Sequence, residues 1–522
     1  MKILLVYPRF ADALWAYKHG LEFIGKRASS PPLGLLTVAA MLPKEWTKRL
    51  VDMNVTGLSD EDIQWADYVF LGAMLAQQAS TEKVIARCKS LQTKVVAGGP
   101  LFSDTHQDFG DIDHIVIGEA EASLPSLLRD LEQGCAQRVY RAGEWPDVRE
   151  TPPPLWSLAD MKYYALMTVQ FTRGCPYDCE FCNVVVLNGH HPRVKDKDQV
   201  VAELEALYQH GWRGHVFVCD DNFLGNRHKI KSEILLAIIK WMQANDYPFV
   251  LTAAVSVDLA DDDKVMDLMI RAGFDRVTLG IESPDEESLA ETNKLQNVGR
   301  DLLAAVRKIQ NHGLEVQGGF IVGFDSDQTT VFDKQIDFIQ ESGIATAMVS
   351  LLFAFPGTRL YERLKQENRL LPTNIGENAY GAINFIPRMG REALISGHKH
   401  VLKTIYSPKY YYERVKTFLV AHNSRKRRGG RLELDHVKAF LKSTWLMGVK
   451  DVERRYYWML LAFTLLNHPR SFPASVRLAV TGYHFRKDIE EYISKPNTED
   501  FADRLPLQTE CDQSTQGAVQ SD

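Results

Sequence analysis

The chain is short of several things, and each shortage excludes a class of protein. Of 522 residues only seven are cysteine. An odd number, mostly far apart, builds no disulfide framework, so the expected compartment is a reducing cytoplasm. No apolar run approaches the ~20 residues of a membrane span. The opening "MKILLVYPRF" is one short apolar run without a cleavage site, and reads as a first strand rather than a signal peptide. Excess positive charge is missing too. The net charge is −6, so no global basic field attracts nucleic acid. Tandem repeats and low-complexity domains are absent. What remains is an ordinary globular composition, 45% hydrophobic and 25% charged, long enough for about two to four domains.

Residues 1–145 alternate strand and helix signals. "KILLVYP", "RLVDMN", "DYVFLGAML", "KVVAGGP" and "HIVIGE" are apolar runs of strand length, separated by helical stretches. That is the pattern of a doubly wound parallel sheet, which binds ligands at the carboxyl ends of its strands. The Pro-rich stretch 146–165 reads as a linker. From 166 to 370 a second alternating set appears, with six strand candidates from "TVQFTRG" to "ATAMVSLLF". Six βα units make a partial barrel whose site lies at the C-terminal strand ends. Residues 371–492 read as helical, rich in aromatic and basic residues, and 493–522 as a polar, disordered tail. The fold class is therefore α/β, a Rossmann-like sheet followed by a partial (βα)6 barrel and a helical C-terminal domain.

Three of the seven cysteines fall in one stretch, "FTRGCPYDCEFCNVV", as Cys175, Cys179 and Cys182. Thiolates are the common ligands of iron–sulfur clusters and of zinc. A zinc site would need a fourth ligand, and His190 and His191 lie off the usual finger spacing. Three buried apolar cysteines are the bland alternative. A loop with Pro, Asp and Glu between the thiols does not read as core.

Cys-x3-Cys-x2-Cys after the first strand of a βα barrel, with Phe181 before the last Cys, resembles the radical S-adenosylmethionine (SAM) superfamily. The resemblance implies a 4Fe-4S cluster on Cys175, Cys179 and Cys182. SAM would chelate the fourth iron and be cleaved to a 5′-deoxyadenosyl radical. An electron donor such as flavodoxin or ferredoxin would supply the electron. By the same resemblance, Asp220, Asp221 and Asn222 in "CDDNF" and Glu282 in "LGIES" stand where relatives contact SAM. Gly318 and Gly319 in "GGFIVGF" stand where relatives contact its adenine. Read from the residues alone, "CDDNF" is equally a loop with Asn222 as a helix N-cap, and a glycine pair is common at strand ends.

A Rossmann-like domain before such a barrel resembles the cobalamin-binding radical SAM subfamily. Its Asp-x-His-x-x-Gly motif appears here as "DMNVTG", with Asp52, Asn54 and Gly57. Asn54 replaces the histidine, and an amide is a poor ligand beside imidazole, so no histidine is expected below the cobalt. "GAMLAQQ", "GGP" (Gly98, Gly99) and "GEAE" are the expected neighbours of cobalamin. A domain that keeps the fold without the cofactor is the alternative.

"NFIPRMGREALISGHKHVLKTIYSPKYYYERVKTFL" and "WMLLAFTLLNHPRSFPASVRLAVTGYHFRK" resemble the C-terminal domain of the hopanoid C-2 methylase family and its uncharacterised relatives. That implies a C-methyltransferase acting on an apolar substrate such as a hopanoid lipid. The rivals are a tetrapyrrole-type radical SAM oxidoreductase or cyclase, a non-catalytic iron–sulfur or zinc-binding interaction protein, and a plain nucleotide-binding α/β protein.

In the C-terminal region Tyr410, Tyr411, Tyr412, Trp445, Tyr456, Tyr457, Trp458 and Phe463 interleave with Lys and Arg. Such helices suit a membrane interface or a lipid substrate, with a peripheral inner-membrane location. A helical cap with its aromatics packed inward is the alternative. "SRKRRGG" (424–430) reads as a basic turn, and His398, His400, His468 and His484 as surface or satisfied core residues.

Overall fold

The structure, a computed structural model, describes residues 1–11, 17–371, 382–422 and 434–494. The basic turn 424–430 and the tail from 495 onward lie outside them.

The first sheet contains β1 (Lys2–Tyr7), β2 (Thr47–Asp52), β3 (Tyr68–Gly72), β4 (Lys94–Gly98), β5 (His114–Ile117) and β6 (Val139–Arg141). All neighbours are parallel, in the order β2-β1-β3-β4-β5-β6. The reason for continuous apolar strands is visible in β1. Leu4 and Val6 pack into a core with Val69, Leu71 and Val95, while Ile3 and Leu5 pack into a second core with Phe70 and Val96. Both faces of a parallel sheet are covered, so alternation disappears. β6 is short, with only Tyr140 buried, and carries no comparable signal.

The second sheet contains β7 (Met167–Val169), β10 (Gly214–Val218), β11 (Phe249–Val255), β12 (Phe274–Glu282), β13 (Glu315–Val322) and β14 (Thr346–Leu351). Its order is β14-β13-β12-β11-β10-β7, all parallel: the expected six-stranded partial barrel. Between β7 and β10 a two-stranded antiparallel ribbon, β8 (Thr172–Arg173) and β9 (Arg193–Val194), frames the cysteine loop. Along β12 and β13 burial alternates. Val277, Leu279 and Val316 lie under the helices, whereas Thr278, Gly280, Gln317 and Gly319 are partly accessible on the inner face.

Helix ends follow local chemistry. The helix Leu302–His312 starts on the Asp301 side chain and stops at Gly313, whose φ of 105° only glycine adopts easily. The helix Lys197–Gln209 passes through His210 and stops at Gly211, at φ 85°.

The C-terminal helices Arg391–Ile405 and Pro408–Ala421 pack on the barrel helix Val331–Ser342, and the 23-residue helix Phe472–Ser494 closes the group. Arg414 is fully buried between Tyr406 and Tyr411, and donates to Gln340 Oε1 at 2.6 Å and to the Ile405 carbonyl at 2.8 Å. The Tyr411 hydroxyl donates to the Leu478 carbonyl at 2.6 Å, and the Tyr457 hydroxyl meets Ser443 Oγ at 2.9 Å. Tyr411, Tyr412 and Tyr457 are thus packed inward, while Tyr410, Trp445 and Trp458 are exposed. His398 and His484 are buried, and His400 is exposed.

Candidate active site

The cysteine loop is tied down from every side. Gly174, at φ 93°, opens it, and a Cβ there would lie 2.7 Å from the His191 carbonyl oxygen. Cys175 N–H donates to the Gly189 carbonyl at 3.2 Å, and Cys182 N–H to the Cys179 carbonyl at 3.1 Å. Glu180 N–H donates to the Thr292 carbonyl, and its carboxylate holds Arg363 at 2.7 Å. Phe181 packs at a tilt on Phe324, 5.8 Å between centroids. The aromatic of the motif is therefore a packing residue that fixes the loop to β13's exit.

The second-strand carboxylates also serve this loop. Asp221 Oδ2 accepts from Gly174 N–H at 2.7 Å and from Asn188 Nδ2 at 2.8 Å. Asp220 Oδ1 accepts from Phe171 N–H at 2.6 Å. Burial pushes both carboxyls up, Asp220 to about 7. Asn222 does not cap a following helix. Its Oδ1 accepts from Leu224 N–H, and its amide side chain also faces the Cys175 sulfur.

Glu282 ends β12 at a bulge, with φ 64°, a left-handed conformation unusual for a residue with a side chain. Its carboxylate turns back to where a Gly280 side chain would sit, so a side chain at 280 would displace the Glu282–Lys294 pair. Lys294 Nζ lies 2.7 Å from Glu282 Oε1. Burial opposes the Lys294 charge, but Glu282 and the Cys179 and Cys182 sulfurs acting on it hold it above its ordinary range. Gly280 pairs in register with Gly319. A Cβ on Gly319 would meet nothing nearer than the Leu279 carbonyl oxygen at 3.7 Å, leaving a shallow floor on the inner face. Gly318 faces the other way, against Phe320 and Ile344. Sequence reading missed Gly280 and Lys294, although "NK" lies only 12 residues beyond Glu282.

The donor set can be tested against what it could hold. A single tetrahedral zinc with thiolates needs sulfurs about 3.8 Å apart. Among the described residues one trio of His, Cys, Asp or Glu ligand atoms converges within 4.8 Å, and it is His19, Asp488 and Glu491, away from this loop. The Cys175, Cys179 and Cys182 sulfurs do not form such a trio. His190 faces Asp178 at 3.9 Å. Burial pushes the Cys182 thiol up to about 12, so a cluster would bind by displacing protons.

The Rossmann-like sheet presents its carboxyl edge beside this loop. Glu119 and Glu121, just after β5, grip the ribbon: Arg173 reaches both carboxylates, 2.8 Å to Glu121 Oε1, and Arg193 pairs with Glu119. "GEAE" is thus a clasp between the two sheets. Asn54 is engaged internally. Its amide donates to Asp52 Oδ1 at 2.8 Å and to the Pro8 carbonyl at 3.2 Å, and its Oδ1 accepts from Phe10 N–H. Asp52 also receives the Tyr164 hydroxyl at 3.1 Å, tying β2's end to the segment before β7. Gly99, at φ 99°, is required by the backbone of Ala73, 2.9 Å from its would-be Cβ, and Gly98 lies against Val116. Gly57 and Gly118 look into open space. The edge therefore offers backbone and glycine surface, with the Asn54 amide where the motif would carry an imidazole.

Fold and site together define a radical SAM enzyme with a Rossmann-like domain ahead of its barrel. A family model described as the radical SAM superfamily matches residues 169–338, and one described as a domain of unknown function (DUF4070) matches residues 358–498. The chain belongs to the family of an uncharacterized methyltransferase of Synechocystis, to which it is 39% identical across 93% of this chain and 91% of that one. It is 29% identical to the hopanoid C-2 methylase of Rhodopseudomonas palustris over 88% of each chain. Among solved structures, the radical SAM methyltransferase TsrM from Kitasatospora setae, with cobalamin and a 4Fe-4S cluster bound, shares the fold at TM-score 0.60 and 15% identity. That match covers 94% of this chain and 99% of that one. The cobalamin-dependent enzyme OxsB, with aqua-cobalamin and SAM bound, gives TM-score 0.60 at 15% identity, over 94% and 80%.

Proposed function

We propose that this chain is a cobalamin-dependent radical SAM C-methyltransferase acting on an unactivated carbon of an apolar substrate, with a hopanoid-type lipid as the leading candidate. The observation that carries the reading is the clasp. Arg173, one residue before the loop glycine, joins the loop to Glu119 and Glu121 at the edge of the Rossmann-like sheet.

Cys175, Cys179 and Cys182 would hold the 4Fe-4S cluster. Asp220, Asp221 and Asn222 would position the loop, with Glu282 and Lys294 beside SAM. The paired glycines 280 and 319 would floor the adenine, and the edges at Asn54, Gly57, Gly98, Gly99 and Gly118 would receive cobalamin. When bound, these groups supply a 5′-deoxyadenosyl radical and a transferable methyl. The chain's own part is placement: the clasp fixes one cofactor surface against the other.

The support for methylation over cyclisation is sequence distance. A relative named as an anaerobic magnesium-protoporphyrin IX monomethyl ester cyclase, from Rubrivivax gelatinosus, is 22% identical over 88% of this chain, against 39% and 29% for the Synechocystis methyltransferase and the hopanoid C-2 methylase over 93% and 88%. Deleting the gene and comparing lipid extracts by mass spectrometry tests the substrate. The expected result is loss of a species heavier by one methyl than one that accumulates. Unchanged lipids would reject the hopanoid-type substrate.

A further inference from the structure

The described chain exposes 18 large apolar side chains, and nine of them fall between Val437 and Leu466. They are not scattered. Val437, Leu441, Trp445 and Val449 recur at spacings of four, on one face of the helix Leu434–Ser443 continued through the wider turn Thr444–Lys450, and Val452 follows in the turn just beyond it. All five are 48–90% exposed. The next helix, Arg454–Asn467, adds Trp458, Met459, Leu465 and Leu466, the last 83% exposed, while its Tyr457, Leu460 and Leu461 are buried. Two consecutive segments thus bury one side against the protein and leave an equally apolar side uncovered. Monomeric proteins rarely expose a contiguous patch of this kind without a use for it.

Charge says what covers it. Residues 437–470 contain six Lys and Arg (438, 442, 450, 454, 455, 470) and two acids (451, 453), a net +4 in a chain of −6. One acid, Asp451, is taken by Arg486, and Lys450 lies over the Trp445 ring at 5.5 Å. Lys442 turns back to the Glu22 carbonyl at 2.8 Å, whereas Lys450, Arg454, Arg455 and Arg470 stand exposed among the apolar side chains. Exposed apolar side chains, two tryptophans and such cations match the boundary of a bilayer with anionic headgroups. No helix among the described residues is long and apolar enough to cross a membrane, so the segment lies on the surface rather than through it. The chain's own end is a poor occupant. Residues 495–522 contain six acids but only a few large apolar residues.

We propose that the Val437–Leu466 face docks the protein on an anionic lipid bilayer, with Trp445, Val449, Val452 and Leu466 inserted among the headgroups. This inference is independent of methyl transfer, since its test reads no turnover. The full chain is sedimented with phosphatidylcholine vesicles with and without phosphatidylglycerol. Binding to the anionic vesicles is expected, weakened by salt. Trp445→Asp with Val449→Asp should lower the partition about tenfold or more, and Lys450→Glu with Arg454→Glu should remove the preference for phosphatidylglycerol. These side chains are exposed, so unchanged circular dichroism is expected for both. Absent binding, or binding that both pairs leave unchanged, overturns the proposal. So does a wild-type dimer that Trp445→Asp dissociates without vesicle binding, which would make the face an interface between copies. Binding only after truncation at Ser494 also overturns it, because the tail would then be the occupant.

Discussion

Lys294 Nζ and Glu282 Oε1 lie 2.7 Å apart in the barrel, with the Cys179 and Cys182 sulfurs as the next charges acting on the lysine. The pair joins the strained end of β12 to the loop after the helix Glu286–Glu291. Lys294→Met leaves the Glu282 carboxylate buried without its cation, which is expected to destabilise the fold by about 3 kcal/mol or more. It also removes a positive charge beside the thiols. The reconstituted cluster should become harder to reduce, read as a more negative midpoint in a redox titration followed by electron paramagnetic resonance. An unchanged midpoint would place the ammonium outside the cluster's field.

Loop geometry and ligation can be separated. Cys175→Ala, Cys179→Ala or Cys182→Ala should each abolish the cluster absorbance, while Cys135→Ala, at an exposed thiol, should leave iron content unchanged. Gly174→Ala keeps all three ligands. It should still fail to load iron, because its φ of 93° and the 2.7 Å approach to the His191 carbonyl leave no room for a methyl group. Iron per chain measures all five variants.

The clasp has a pH signature. Burial alone would raise the Glu121 carboxyl, but Arg173 and the Thr151 hydroxyl outweigh it and hold it at about 2. A depressed carboxyl contributes stability that is present above its unfolded pKa, about 4.5, and lost as pH falls towards 2. Arg173→Met should therefore cost about 3 kcal/mol near pH 7 in urea unfolding. The gap from wild type should narrow as the pH falls below about 4.5. A gap independent of pH would mean that packing, not charge, carries the clasp.

Buried His398 carries the opposite residue type with the same sign. Desolvation lowers it to about 4, and its Nε2 lies 3.0 Å from the Val349 carbonyl of β14. The unfolded imidazole gains its proton first, near pH 6.5, so folding stability falls between about 6.5 and 4 and levels off below. His398→Gln removes that titration. Over the same interval, wild type should lose up to about 3 kcal/mol more than the variant. Parallel pH curves for the two would contradict a neutral buried histidine.

How much of this could be read from residue order is itself a physical matter. Both parallel sheets were legible: in the first, strands buried on two faces are continuous apolar runs, as in residues 3–6, and in the second, β12 and β13 turn alternate residues under the helices. The cysteine spacing was legible because ligation is local. What Asp220 and Asp221 bind was not: their partners Phe171 and Gly174 lie nearly 50 residues back, brought close only when β10 pairs with β7. Glu282's left-handed backbone follows from a register shift between two strands, which leaves no mark in composition. The aromatic C-terminal helices misled in a specific way. Tyr411 and Tyr457 look like Trp445 and Trp458 in sequence, since basic residues interleave with both. Only packing separates the two in the core from the two in solvent.

The central claim is that this chain uses SAM both for a radical and for a methyl group. The direct measurement is anaerobic incubation of the reconstituted, cobalamin-loaded protein with methyl-deuterated SAM, a reductant and a lipid extract from the deletion strain. The account predicts 5′-deoxyadenosine and S-adenosylhomocysteine in about equal amounts, together with a deuterated methyl on a lipid product. 5′-Deoxyadenosine formed with no label in any product would contradict it.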